Sequence, residues 1–126
     1  RSPWAQFVDL DTLLAESHVV SVHLLLNDET RGFLNAERIG KMRKGAILVN
    51  TARAGVTEED AIVAALRSGQ LRHAALDVFD TEPLPAGHVF TTLENVTLSA
   101  HSAFRTPEAS ENLIRRALDI AGTLQP

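Results

Sequence analysis

The feature that most constrains this chain is a series of short apolar runs, each closing on polar residues and each separated from the next by a helix-like or loop segment. Residues 18–26 are nearly continuous in apolar character and β-branched at Val19, Val20 and Val22. Such a run reads as a strand buried on both faces, the habit of parallel sheets. Ala46–Asn50 is a second strand, residues 71–78 a third and residues 95–98 a short fourth. Strands that alternate with helices of about ten residues require crossover connections, hence a parallel sheet with helices on both faces. The expected fold class is α/β, part of a doubly wound parallel sheet of the Rossmann-like kind.

The intervening segments carry the matching signals. Asp9 or Asp11 can cap a short helix through Leu13, Leu14 and Ala15 that ends near Ser17. Asn27-Asp28-Glu29-Thr30-Arg31-Gly32 is a polar loop, and a helix runs from Asn35 to about Met42, closed by Lys44-Gly45. Thr57 is placed to cap a helix whose first turn holds Glu58, Glu59 and Asp60, charges that complement the helix dipole. Ala61, Ile62, Ala65 and Leu66 follow helical spacing, and Gly69 stops the helix. Pro83, Pro85 and Gly87 make residues 79–94 a loop. Thr106-Pro107-Glu108 starts a last helix that reaches about Ala121.

Composition narrows the functional classes. With 126 residues the chain is one domain or a large part of one, and 44% hydrophobic content suffices for a core. A net charge of -4 argues against nucleic acid or an anionic membrane as the main partner. No cysteine is present, which excludes disulfides and thiol nucleophiles and suits a reducing, cytoplasmic compartment. No apolar run approaches the roughly 20 residues of a membrane span. Arg1-Ser2-Pro3-Trp4 has neither a signal-peptide layout nor an initiating methionine, so the chain is expected to be cut from something longer.

In open parallel sheets, ligands sit beyond the carboxyl ends of the strands. Three such ends deliver reactive groups here: Arg53 after Asn50-Thr51-Ala52, Asp77 and Glu82 around the end of the third strand, and His101 after Ser99-Ala100. A strand does not tolerate a buried carboxylate without a partner, so Asp77 should face something it binds. An arginine, carboxylates and a histidine at one edge argue an enzyme. No histidine pair has metal-ligand spacing with carboxylates, and no metal is expected.

At these residues the chain resembles the D-isomer-specific 2-hydroxyacid dehydrogenases, the family of phosphoglycerate dehydrogenases and of glyoxylate and hydroxypyruvate reductases. The matching stretches are residues 19–23, 28–32, 42–53, 74–85 and 95–103, in order along the chain. The Arg53-to-Glu82 interval of 29 positions also resembles the family's spacing. The resemblance implies a substrate domain and a dinucleotide-binding domain with the active site between them. This chain resembles the second half of the dinucleotide-binding domain together with its final helix, over residues 1–126. No G-x-G-x-x-G occurs in it, so the pyrophosphate turn lies outside it, as does the substrate domain. Alone, such a segment is expected to bind cofactor poorly and to catalyse nothing measurable.

The resemblance also implies roles. His101 would be the acid/base, since histidine's pKa serves both directions of a hydroxyl/carbonyl interconversion; a loop histidine bonded to backbone is the plain alternative. Glu82 would hydrogen-bond and orient His101, and otherwise would be a solvent-facing loop carboxylate, as Glu29, Glu58 and Glu59 are read to be. Arg53 would bind the substrate carboxylate through its fork, or else be an exposed loop arginine. Asp77 would contact the nicotinamide carboxamide, with a structural salt bridge as the competing account. Leu24, Leu25, Thr51 and Ala52 would line the cofactor mainly through backbone, with Arg53, His101 and Ala103 also beside it; core packing is the alternative for the leucines. The implied cofactor is NAD, with NADP possible, and the implied substrate a small 2-hydroxy or 2-oxo acid, in a homodimer.

Three positions depart from the family pattern. Ala54 stands where glycine is usual, which calls for negative φ or strain. Leu25 stands where proline is common. Ala100 replaces the proline before the histidine, which frees Ser99 and would loosen His101. Two further readings stay open: an NADH-sensing binding module like the C-terminal binding protein co-repressors, which share the domain, and an inactive fragment.

Overall fold

The structure, a computed structural model, describes residues 5–123. The N-terminal residues 1–4 read above lie outside the described part. The elements are α1 (Leu10–Glu16), β1 (Val19–Val22), α2 (Ala36–Lys41), β2 (Ala46–Asn50), α3 (Glu59–Ser68), β3 (Leu71–Leu76), β4 (Val96–Leu98) and α4 (Pro107–Thr123). Short 3-10 turns occupy Ala54–Val56 and Val89–Thr92. The four strands form one parallel sheet in the order β1-β2-β3-β4, an α/β Rossmann-like arrangement.

That strand order dictates the layering. Successive parallel strands laid side by side, joined by right-handed crossovers, put every crossover on the same face. Val20, Val22, Ala46, Leu48, Leu71, Ala74 and Leu76 point to that face and form one core with Leu14 of α1, Ile39 of α2 and Ile62 and Leu66 of α3. Leu14, Leu48 and Leu71 have no solvent exposure, and each such side chain stabilises the fold by about 1.5–3 kcal/mol. On the opposite face Val19 is 54% exposed and Ile47, Val49, His73 and Ala75 are half-buried. The expectation that the first strand is buried on both faces is therefore corrected: within this chain the sheet is covered on one side. The strand is also shorter than residues 18–26, because the ladder ends where Val22 meets Asn50.

Local chemistry explains the boundaries. The Asp9 carboxylate accepts from Thr12 N–H at 2.9 Å and starts α1, and Asn35 does the same for α2 through Arg38 N–H at 3.0 Å. Gly69 ends α3 in the left-handed region, φ 75°, where an L side chain is disfavoured. Thr57 does not cap α3. The N-cap is Glu58, without a side-chain bond, because the Thr57 hydroxyl donates instead to Ala54 O at 3.0 Å. The Thr106 hydroxyl accepts from Ala109 N–H at the start of α4. α4 buries no residue and leaves Leu113, Ile114 and Leu118 exposed. No helix among the described residues is long and apolar enough to cross a membrane.

Candidate functional site

The register fixes one working edge. Val22, Asn50, Leu76 and Leu98 are successive partners across the sheet. Since all four strands run the same way, His23–Leu26, Thr51–Arg53, Asp77–Glu82 and Ser99–His101 all leave from that edge. It is the edge where open parallel sheets hold ligands.

Asp77 organises the β3 end. Its backbone N–H donates to Asn50 O at 3.0 Å, and its carboxylate is 2% exposed. Oδ1 accepts the Ser99 hydroxyl and the Ser102 N–H, the latter at 2.9 Å, while Oδ2 accepts the Ala103 N–H at 2.8 Å. Burial raises the carboxyl pKa, but the Ser99 hydroxyl and the Ala103 and Ser102 N–H groups outweigh it and hold it below the usual aspartate value. Among the described residues no salt bridge reaches it: hydrogen-bond donors satisfy most of this charge, with the nearby His101 a smaller contribution. The three donors wrap residues 99–103 around the carboxylate, with His101 at φ 49° between them. A histidine in that region needs outside support, and the bonds to its neighbours supply it despite the missing proline at Ala100.

The imidazole is held from a second side. His101 Nδ1 lies 2.7 Å from Glu82 Oε2. A carboxylate can only accept, so Nδ1 carries the hydrogen and Nε2 is the free nitrogen. Glu82 Oε1 accepts from Phe79 N–H at 3.0 Å, which fixes the carboxylate plane. The His101 bond, with the Phe79 N–H second, holds the Glu82 carboxyl below its ordinary range. Beside the pair opens a cleft of about 550 Å³ lined by Phe79, Pro83, Leu84, Leu98, Ser99 and Ala100. Its walls are largely apolar, which strengthens charge interactions at its mouth.

The structure brings Glu82 and His101 together, with Asp77 and Ala103 behind them; it does not bring Arg53 into the same contact. Arg53 is exposed, and its guanidinium donates to Ala52 O at 2.6 Å. Ala54 has no positive φ, so that turn closes without glycine. Leu24 and Leu25 are 38% and 77% exposed, so the core formed by the described residues does not take them up. Thr51 is exposed and Ala52 half-buried at the same edge. Ala103 is exposed, and its N–H is taken by Asp77 Oδ2. His23 bonds Ser21 Oγ at 2.9 Å. Glu59 is not the solvent-facing carboxylate expected: it lies 3.3 Å from His88 Nε2, while His88 Nδ1 accepts from Phe90 N–H, tying the long loop to α3.

Sequence reasoning missed Asn50, Ser99 and the Phe79 N–H as parts of the site. The signal for Asn50 was the one that revealed Asp77, a polar residue closing an apolar run. The Phe79 N–H has no signal in sequence, because any residue supplies it.

An α/β parallel sheet whose carboxyl edge gathers a carboxylate–imidazole pair and an exposed strand-end ledge defines a Rossmann-like dinucleotide-binding domain. The chain belongs to the family described as D-isomer specific 2-hydroxyacid dehydrogenase, NAD binding domain, whose model matches residues 2–103. It is 47% identical over 115 residues to the glyoxylate reductase of Thermofilum pendens, covering 91% of this chain and 34% of that protein. To the glyoxylate/hydroxypyruvate reductase B of Cronobacter sakazakii it is 44% identical over 115 residues, covering 91% of this chain and 36% of that one. A D-isomer specific 2-hydroxyacid dehydrogenase from Xanthobacter autotrophicus Py2, solved with NADPH and MES, superposes with a TM-score of 0.70 at 47% identity, over 73% of this chain and 29% of that one. The chain thus spans about a third of the length of its curated relatives.

The residues present fit one end of a dinucleotide. The exposed Leu24–Leu25 ledge and exposed Thr51 lie at the right edge for a flat ring, while Ala52 spends its N–H on Asn50 Oδ1 and its C=O on Arg53, and Asp77 Oδ2 has a single donor among the described residues. The phosphates find no glycine-rich turn in this chain.

Proposed function

We propose that this chain is the second half of the dinucleotide-binding domain of an NAD(P)-dependent oxidoreductase acting on small D-2-hydroxy and 2-oxo acids. The observation that carries the reading is the 2.7 Å contact between His101 Nδ1 and Glu82 Oε2 at the carboxyl edge of the sheet. Leu24, Leu25, Thr51, Ala52 and Asp77 would hold the nicotinamide end, with Arg53, His101 and Ala103 beside it. When bound, the cofactor supplies or takes the hydride.

The chain's own residues do the rest. In reduction, His101 gives a proton from Nε2 to the carbonyl oxygen; in oxidation, the same nitrogen takes the hydroxyl proton. Glu82 keeps the Nδ1–H occupied, so Nε2 is the nitrogen left for substrate. Arg53 binds the substrate carboxylate with two parallel bonds and so aims the adjacent carbon at the imidazole. Swinging free of Ala52 O frees that fork. The likeness to a glyoxylate reductase and a glyoxylate/hydroxypyruvate reductase supports acids of two or three carbons. A cytoplasmic, homodimeric enzyme goes with this reading.

The test is a panel of 2-oxo acids against the full-length protein, with NADH and NADPH side by side. Oxidation of reduced cofactor with glyoxylate or hydroxypyruvate is the expected result. Tight NADH binding with no turnover of any 2-oxo acid would replace the enzyme by a nucleotide-sensing module.

A further inference from the structure

Asn50 closes β2 and is 1% exposed, one of three polar residues buried in the described chain with Thr57 and Asp77. Its carboxamide is used at both ends. Oδ1 accepts the Ala52 N–H at 3.0 Å, and Nδ2 donates to Arg53 O at 3.0 Å. Nδ2 also reaches Thr57 Oγ1 at 3.5 Å, and the Thr57 hydroxyl donates to Ala54 O at 3.0 Å. The bracket thus grips the backbone on both sides of the Ala52–Arg53 peptide and again one residue later. Arg53 itself sits in extended backbone, φ -149° and ψ 141°, between those anchors.

Nothing in the strand demands an amide there. A leucine would complete the apolar run Ala46–Val49 and bury more carbon. What only a carboxamide provides is a donor and an acceptor in one plane, and the turn spends them on the Arg53 carbonyl and the Ala52 N–H. The Asn50 carbonyl meanwhile accepts the Asp77 N–H, so the end of β2 that carries the bracket is bonded to the end of β3 that carries the His101 clamp. The two ends of the site share one scaffold through that bond.

We propose that Asn50 is a positioning residue, which sets the direction from which Arg53 meets the substrate carboxylate. The inference rests on the substrate-binding reading of Arg53. It predicts that loosening the bracket costs substrate affinity more than cofactor affinity, although Ala52, which the bracket also holds, lies on the cofactor side.

Asn50→Leu in the full-length protein removes both bonds without adding charge. With glyoxylate as the probe, KM should rise about tenfold or more, and KM for NADH by less, about threefold at most. Thr57→Val keeps shape, drops one hydroxyl and should raise the glyoxylate KM by about threefold. A double-mutant cycle decides whether Asn50 acts through Arg53: in an Arg53→Lys background Asn50→Leu should cost much less than in the parent. Additive losses, or a glyoxylate KM unmoved by Asn50→Leu while Arg53→Lys is impaired, overturn the inference. Wild-type kinetics in Arg53→Lys would instead remove the reading of Arg53 beneath it. If Asn50→Leu does not fold, Thr57→Val decides by the same split, and an unchanged glyoxylate KM rejects the bracket.

Discussion

Replacing Asp77 by asparagine keeps the outline of the side chain and removes its charge. In the parent, three donors converge on one buried carboxylate: the Ser99 hydroxyl and the Ser102 and Ala103 N–H groups. An amide has one acceptor oxygen. Placed at Oδ1 it keeps Ser99 and Ser102 but points its own N–H at the Ala103 N–H; flipped, it keeps Ala103 alone. Losing one bond to a charged group costs about 1.5–3 kcal/mol, and the survivors weaken as they become neutral. The sum is about 3 kcal/mol, near a hundredfold in the folded-to-unfolded ratio. Urea unfolding should show it as a midpoint lowered by roughly 1.5 M at unchanged slope. The pH dependence gives a second check. Because the folded carboxyl is held below 3.8, its stabilisation is present above that value and is lost as pH falls through the lower folded pKa. The gap between parent and Asp77→Asn should therefore be constant near neutrality and close in acid. A gap under about 0.5 kcal/mol at pH 7, or one that persists unchanged in acid, would refute the carboxylate-centred loop.

Glu82→Gln should lower kcat for a 2-oxo acid by about a hundredfold and leave NADH affinity, read by fluorescence titration, where it was. The parent's own pH profile should carry an acidic limb below pH 4.5, since the Glu82 carboxyl is held under that ordinary value and its bond to His101 is lost only as pH falls through the lower folded pKa. Glu82→Gln has no such group and should lack the limb.

How much could be read in advance follows from which forces are local. Ala46–Asn50 was legible to the residue because four apolar positions between Gly45 and the polar closure at Asn50 leave little choice. Asp9, Asn35 and Gly69 were legible because caps and left-handed stops depend on their own backbone. Thr57 misled for the same reason: a threonine before three acids is a capping pattern, but a carbonyl three residues back took its hydroxyl. The first strand misled because hydropathy cannot show where a ladder runs out or which face remains open. The pairing of Glu59 with His88 spans the chain between α3 and the long loop, and no local pattern carries it. At the edge of the sheet, the polar interruptions at Asn50 and Asp77 were visible, whereas what they bind was not. The left-handed backbone of His101 is a product of bonds made by residues around it, and Ala100 alone suggested looseness instead. That Glu82 would meet His101 came from a likeness to a family and not from the residues themselves.

The central claim is that the free nitrogen of His101 moves the proton while other groups hold the cofactor. His101→Ala in the full-length protein, assayed with NADH and glyoxylate beside a direct NADH titration, tests it most directly. The account predicts turnover reduced by about three orders of magnitude or more with NADH affinity within about threefold of the parent. Turnover at the parental rate, or NADH affinity falling in step with turnover, would contradict it.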